Sequence, residues 1–258
     1  MALWPKKKNS EITRVCDPDL DTYAVFDDVS LTLGQRPVLK NLTLSLSEHR
    51  IGIIGLNGSG KSSFIRLING LRSPDNGTLT LFGAPSEKAE PELPRHVGFV
   101  FQNPDHQAIF PTVEEEIAFG LTQLGAGKDE SRIRARAFLA QHGCEELAAN
   151  PIAELSEGQK QLICILAVLV MEPQLLVLDE PMTSLDALAM RRIFGKLMSL
   201  PQKIIMVSHD LSHFEEFDRV LWLEDSRIRM DGPPQQVLAA YKDDIQLKSG
   251  TRMELAAL

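Results

Sequence analysis

Positive charge is in deficit in this chain. Lys and Arg number 27 against 35 Asp and Glu, a formal net charge of −8. That balance excludes whole-surface binding to nucleic acid, which needs an excess of cations to displace counterions, and no nucleic-acid partner is expected. Cysteine is scarce. Cys16, Cys144 and Cys164 are neither spaced as a zinc knuckle nor paired as CxxC, so isolated reduced thiols are expected. Long apolar runs are missing too. The longest, Leu162 to Met171, has ten residues before Glu172-Pro173 ends it, against about 20 for a membrane span. Lys6-Lys7-Lys8 is not followed by an apolar stretch, so no signal peptide is expected. The expectation is a soluble chain that can still dock on a membrane protein.

The 258 residues suit one large domain or a domain with an inserted subdomain. Residues 1–20 are polar and irregular and read as a flexible tail. Leu42, Leu44 and Leu46 alternate with polar residues, the period of a half-buried strand, and 29–33 with 38–46 reads as an antiparallel pair about Gly34-Gln35-Arg36-Pro37. Short apolar runs at 50–54, 97–101, 175–178 and 203–207 read as buried strands. Residues 63–71 and most of 112–171 have helical spacing, and 221–223 with 227–230 reads as a hairpin about Asp225-Ser226. This order predicts an α/β fold: a mostly parallel core sheet with an antiparallel β subdomain, and an inserted helical subdomain at about 104–172. The domain is expected over 21–242, with a C-terminal tail at 243–258.

Gly55-Leu56-Asn57-Gly58-Ser59-Gly60-Lys61-Ser62 matches GxxxxGK[ST] between a predicted strand and a predicted helix. Glycines let backbone N–H groups turn toward phosphate oxygens, and the helix that follows offers its positive end to the same anion. Lys61 is placed to reach the β- and γ-phosphates and Ser62 to ligate Mg²⁺. Leu175-Leu176-Val177-Leu178-Asp179-Glu180 is a buried strand ending in two acids. On its own that is an ordinary solvated pair; beside a phosphate loop, Asp179 suits Mg²⁺ and Glu180 suits polarisation of an attacking water. His209 also follows a buried strand and can contact a γ-phosphate or orient the glutamate. Leu155-Ser156-Glu157-Gly158-Gln159 reads locally as a capping box, Ser156 with Gln159.

The order GLNGSGKSS, Gln102, LSEGQ, LLVLDEP, Ser184-Leu185-Asp186, His209 resembles the ATP-binding cassette (ABC) ATPase family over about residues 25–240. The resemblance implies the P-loop NTPase core of an ABC ATPase, with ATP and Mg²⁺ as cofactors. It makes Gly55, Asn57, Gly58, Ser59, Gly60, Lys61, Ser62 and Ser63 the phosphate loop, Asp179 with Ser62 and Gln102 the metal side, and Glu180 the catalytic glutamate. Gln102 becomes the glutamine that senses metal and water, and His209 the switch histidine. Ser156, Gly158 and Gln159 become a signature that contacts ATP held by a second subunit, and Asp186 lies at the same interface. The implied assembly is a homodimer, or a pair with a second ABC ATPase, sandwiching two ATP molecules head to tail.

Two departures stand out. Glu157 replaces the first glycine of the usual LSGGQ, putting a carboxylate near a γ-phosphate, which is repulsive unless it faces away. Leu33 occupies the place where many members stack an aromatic ring on adenine, so weak base discrimination is expected. Phe101 to Gln107, with Phe110-Pro111-Thr112-Val113 and Ile117-Ala118-Phe119-Gly120, is similar to the energy-coupling factor (ECF) branch of importers. Within it the chain resembles biotin-transporter ATPases, with cobalt and nickel members next. That implies a transmembrane coupling subunit and a substrate-binding membrane protein as partners, at the cytoplasmic face of the membrane. Soluble ABC ATPases of DNA repair or translation carry paired cassettes, coiled-coil insertions or zinc motifs, none of which is visible. A small-molecule kinase has no use for LSEGQ or His209.

Overall fold

The computed structural model describes residues 15–183 and 185–256. Ten strands form two sheets. They are β1 (Ala24–Leu33), β2 (Arg36–Leu46), β3 (Arg50–Ile54), β4 (Asn76–Leu81), β5 (Ala84–Pro85), β6 (Val97–Val100), β7 (Leu175–Asp179), β8 (Lys203–Val207), β9 (Arg219–Glu224) and β10 (Arg227–Gly232). The helices are α1 (Lys61–Ile68), α2 (Ser86–Ala89), α3 (Leu93–His96), α4 (Val113–Gln123), α5 (Lys128–Gln141), α6 (Glu157–Leu169), α7 (Ala187–Met198) and α8 (Pro234–Ala256). The smaller sheet, β2-β1-β4-β5, is antiparallel. The larger runs β10-β9-β3-β8-β7-β6 and is parallel except for its edge strand β10.

The parallel strands are apolar throughout because both faces are covered. Leu175 and Val177 pack with Ile51, Ile53 and Phe64 on the face toward the small sheet and α1. Leu176 and Leu178, one residue out of phase, pack with Ile165, Leu166 and Ile193 on the face toward α6 and α7. Helices α4, α5 and α6 and three short 3₁₀ turns occupy the interval between β6 and β7.

Register places the strand ends that matter. Ile53 of β3 lies opposite Val207 of β8, and Val207 lies opposite Asp179 of β7. Val100 of β6 lies opposite Leu178. The chain therefore leaves four adjacent strands at one level, at their carboxyl ends, where open α/β sheets bind ligands.

Both predicted tails need correction. Among residues 15–20, Cys16 is buried and the Asp17 N–H donates to the Phe82 carbonyl at 2.8 Å; residues 1–14 lie outside the described residues. At the other end α8 runs through position 243 to Ala256. Tyr241 packs edge-on against Trp222 at 5.1 Å, Asp244 Oδ1 pairs with Arg229 at 2.8 Å and Asp244 Oδ2 with Lys248 at 2.7 Å. Those anchors come from β9 and β10, and the mixed polarity of 243–256 hid them from a reading by periodicity.

Candidate functional site

β3 ends at Gly55, and the loop to α1 closes on itself before Lys61. Two glycines there have no substitute. Gly55 has φ +145° and a Cβ on it would stand 2.2 Å from the Leu223 carbonyl oxygen; Gly60 has φ +108° and its Cβ would stand 2.5 Å from the Val38 oxygen. Asn57 and Gly58 are exposed at the tip, Ser59 and Lys61 are buried, and Ser62 and Ser63 are half-buried on the first turn of α1. The Lys61 ammonium lies inside the curve, donating to the carbonyls of Gly55 at 2.8 Å and Leu56 at 3.2 Å. Burial pushes its pKa down, against the opposing pull of Glu180 and Asp179.

Across from the loop, Asp179 ends β7 with its Oδ1 accepting from the Ser62 hydroxyl at 3.5 Å. Burial pushes this carboxyl up, more than its hydrogen bond to Ser62 lowers it. Two hard oxygen donors at this spacing, beside a cationic loop, suit Mg²⁺ with a triphosphate. The buried Ser59 hydroxyl has no hydrogen-bond partner among the described residues, a polar atom left over inside the loop. The residues present therefore fit the metal–nucleotide pair.

Glu180 follows Asp179 with φ 49°, an unusual backbone for a residue with a side chain. Its N–H donates to the Val207 carbonyl at 3.0 Å, which holds the turn against β8. The carboxylate is gripped on both oxygens. His209 Nε2 lies 2.9 Å from Oε1, while Gln102 Nε2 at 3.3 Å and the Thr183 hydroxyl at 3.2 Å reach Oε2. Three strand ends thus converge on one acid, as the register dictates.

Other candidates stand apart. Ser156, Gly158 and Gln159 begin α6, and none of them hydrogen-bonds to residues 55–63 among the described residues. The capping box is complete: Gln159 N–H donates to Ser156 Oγ at 3.3 Å, and Ser156 N–H to Gln159 Oε1 at 2.9 Å. Ser156 and Gln159 are exposed. Gly158 packs on α7; a Cβ there would sit 3.0 Å from Cβ of Ala189. Asp186 caps α7, its Oδ1 accepting from Leu188 and Ala189 N–H at 2.9 and 2.8 Å. Glu157 faces Lys160 at 3.4 Å, and Lys160 also meets Asp105 at 3.0 Å.

Several working residues escaped the sequence reading. Thr183 was one. Gln107 is another: its Oε1 accepts from Phe101 N–H at 3.0 Å and its Nε2 donates to the Cys164 carbonyl at 2.9 Å, tying the end of β6 to α6. The buried Glu116 accepts from Ile109 and Phe110 N–H at 2.8 and 2.9 Å, holding Ile109 out at 72% exposure. The signals were present as a Thr three residues past the glutamate and a Glu in the first turn of α4, but neither type at that spacing is diagnostic alone.

Comparison with known proteins gives the same answer as the geometry. The ABC transporter family profile matches residues 39–183. The biotin transport ATP-binding protein BioM of Rhodobacter capsulatus is 45% identical over 83% of this chain and 91% of its own length. The nickel import ATP-binding protein NikO of the same organism is 38% identical over 79% of this chain and 86% of its own. Among solved structures, cbiO1 from Clostridium perfringens, part of the ABC transporter complex cbiONQ, superposes with a TM-score of 0.75 at 29% identity, covering 93% of this chain and all of that one. The ATP-binding cassette MJ0796, in a dimeric post-hydrolysis state with ADP and Pi, gives 0.70 at 25% identity, covering 82% and 98%. With a phosphate loop, a gripped acid and a capped signature helix in one fold, the chain belongs to the ABC transporter family and is an ABC-type ATPase.

Proposed function

We propose that this chain is the ATP-hydrolysing subunit of an ECF-type importer and that biotin is the substrate whose uptake it drives. The observation that carries the enzymatic part is the Glu180 carboxylate held by His209, Gln102 and Thr183 next to the Asp179–Ser62 pair. Lys61 and the backbone N–H groups of 55–62 bind the β- and γ-phosphates. Ser62, Asp179 and Gln102 would hold Mg²⁺, whose charge offsets that developing on the phosphate oxygens. Glu180 takes the proton of the water that attacks the γ-phosphorus, as the bond to the bridging oxygen breaks and ADP keeps that oxygen. His209 keeps the carboxylate aimed, and Gln102 ties this event to the polar segment that follows β6.

That segment leads outward. Asn103 caps the turn 104–106, Gln107 and Asp105 fasten it to α6, and Glu116 presents Ile109 with Phe110, whose ring packs on Phe119 at 4.9 Å. An exposed apolar pair on a rigid mount suits a transmembrane coupling subunit, itself bound to a substrate-binding membrane protein, at the cytoplasmic face of the membrane. A second copy, or a second ABC ATPase, supplies Ser156, Gly158 and Gln159 to the nucleotide. The biotin assignment rests on likeness to BioM. The resemblance to NikO supports cobalt or nickel as the second reading.

Proteoliposomes containing this chain and the membrane proteins that co-purify with it test the proposal. ATP-dependent accumulation of labelled biotin, lost with Glu180→Gln, is the expected result. Accumulation of nickel or cobalt without biotin supports the second reading, and neither overturns the importer assignment for that complex.

A further inference from the structure

Away from the nucleotide, three chemically competent side chains meet where the N-terminal segment crosses α3. The ligand atoms of Cys16, Glu92 and His96 all lie within 4.8 Å of one another. They are 76 or more residues apart in sequence, which is why the cysteine spacing gave no hint of them. Cys16 is buried and the other two are half-buried.

The surroundings have prepared each group. His96 Nδ1 lies 2.8 Å from Gln174 Oε1. A carbonyl oxygen can only accept, so Nδ1 carries the hydrogen and Nε2 of the neutral ring keeps its lone pair. Gln174 is itself held: its N–H donates to the His96 carbonyl at 3.0 Å, and its own carbonyl accepts from Lys203 N–H at 3.0 Å. Phe82 backs the imidazole at 5.4 Å between ring centroids. An oriented imidazole whose other nitrogen is bonded to a fixed acceptor is the usual support for a metal-binding histidine. The Glu92 carboxylate is aimed by two backbone donors, Val15 N–H at 3.1 Å to Oε1 and Cys16 N–H at 3.2 Å to Oε2. Each oxygen retains a further lone pair.

We propose that Cys16, Glu92 and His96 bind a divalent transition metal, zinc by donor chemistry, which fastens the segment around Cys16 to α3. One sulfur, one nitrogen and one oxygen donor match the zinc preference, with water in the fourth place. Donors across a tetrahedral zinc ion stand about 3.5 Å apart, given bonds of about 2.0–2.3 Å, so the three groups close in by roughly an ångström. Zinc would also resolve the local electrostatics. Burial and the Glu92 charge push the Cys16 thiol up to about 11, so without a cation it stays protonated and is a poor nucleophile. That argues against a redox role and leaves the thiol to a metal able to displace its proton.

The test uses the full-length protein, stripped of metal, in excess Mg²⁺ and titrated with Co²⁺ as a spectroscopic stand-in. One equivalent per chain should bind with a thiolate-to-cobalt charge-transfer band, which Zn²⁺ then bleaches. Cys16→Ser should abolish the band, and Gln174→Leu should weaken the affinity about 10- to 100-fold, the usual loss when the partner of a ligating histidine is removed. No thiolate band at saturating Co²⁺, or an undiminished band in Cys16→Ser, overturns the proposal and leaves Glu92 as a simple anchor for two backbone N–H groups. Should Cys16→Ser not fold, hydrogen exchange of residues 15–20 in the unaltered protein decides: slower exchange with Zn²⁺ supports the site, and equal exchange refutes it.

Discussion

Glu180 combines two costs. Its left-handed backbone carries strain of about 1–2 kcal/mol for a side-chain-bearing residue, and its carboxylate is surrounded by three partners that limit its rotation. Both point to a group whose direction matters more than its solvation. Glu180→Gln keeps the size and the turn but removes the proton acceptor. Turnover should fall about 10²- to 10⁴-fold, the usual share of a general base, while ATP affinity stays unchanged in equilibrium nucleotide binding. Thr183 acts only through Glu180. Thr183→Val should lower kcat about 5- to 10-fold, the equivalent of one hydrogen bond of about 1 kcal/mol, with ATP affinity intact and with partial rescue in Thr183→Ser. At this scale the phosphate loop, Asp179 and Glu180 were legible because backbone chemistry demands those residue types at that spacing. Thr183 was not, because its contact depends on a turn set by β8. Leu33, 37% exposed at the end of β1, offers no ring to a base. Base–aromatic stacking is typically worth about 1–3 kcal/mol, so without it ATP and GTP dissociation constants should agree within about fivefold; a larger gap, measured by competition, would mean another residue reads the base.

At the level of elements, α6 explains how the chain tolerates Glu157. Lys160, one turn on, pairs with the Glu157 carboxylate and also with Asp105 from the segment after β6. One cation thus neutralises the odd acid of the signature and joins that helix to the loop following Gln102. Removing it exposes both consequences. Lys160→Met should raise the KM for ATP and steepen its dependence on salt. Adding Glu157→Gly to that variant should restore most of the affinity, because the unneutralised carboxylate is gone; a double-mutant cycle on KM measures the coupling. The capping box was readable from four adjacent residues, since local hydrogen bonds need only local sequence. The Asp105–Lys160 link spans 55 positions and becomes visible only once β6 and α6 are packed together. The same holds for α8, whose anchors Trp222, Glu224 and Arg229 all lie on another element.

For the molecule as a whole, the decisive fact is separation. Lys61 and Glu180 face one region, while Ser156 and Gln159 are exposed at the start of another helix, with Leu188 standing out at 60% exposure nearby on α7. Gly158 against Ala189 packs the two helix starts together, so one rigid surface carries the signature and Asp186. A helix end with a satisfied cap and outward N–H groups is an anion site for something outside the chain. If that something is ATP on a second copy, each composite site borrows half its residues, and two crippled chains can mend each other. Lys61→Ala destroys the loop but leaves a sound signature; Ser156→Arg blocks the signature but leaves a sound loop. Each variant alone should be inactive. Mixed in equal amounts, random pairing makes half the dimers hybrid, and each hybrid has one intact site and one doubly broken site. For a two-fold symmetric pair with independent sites, ATPase activity should recover to about a quarter of the unaltered protein. Recovery that scales with the hybrid fraction would establish sharing between copies. Failure of any mixture to exceed its components, with hybrids shown to form by mass, would mean that each site is completed by a different ATPase or lies within one chain.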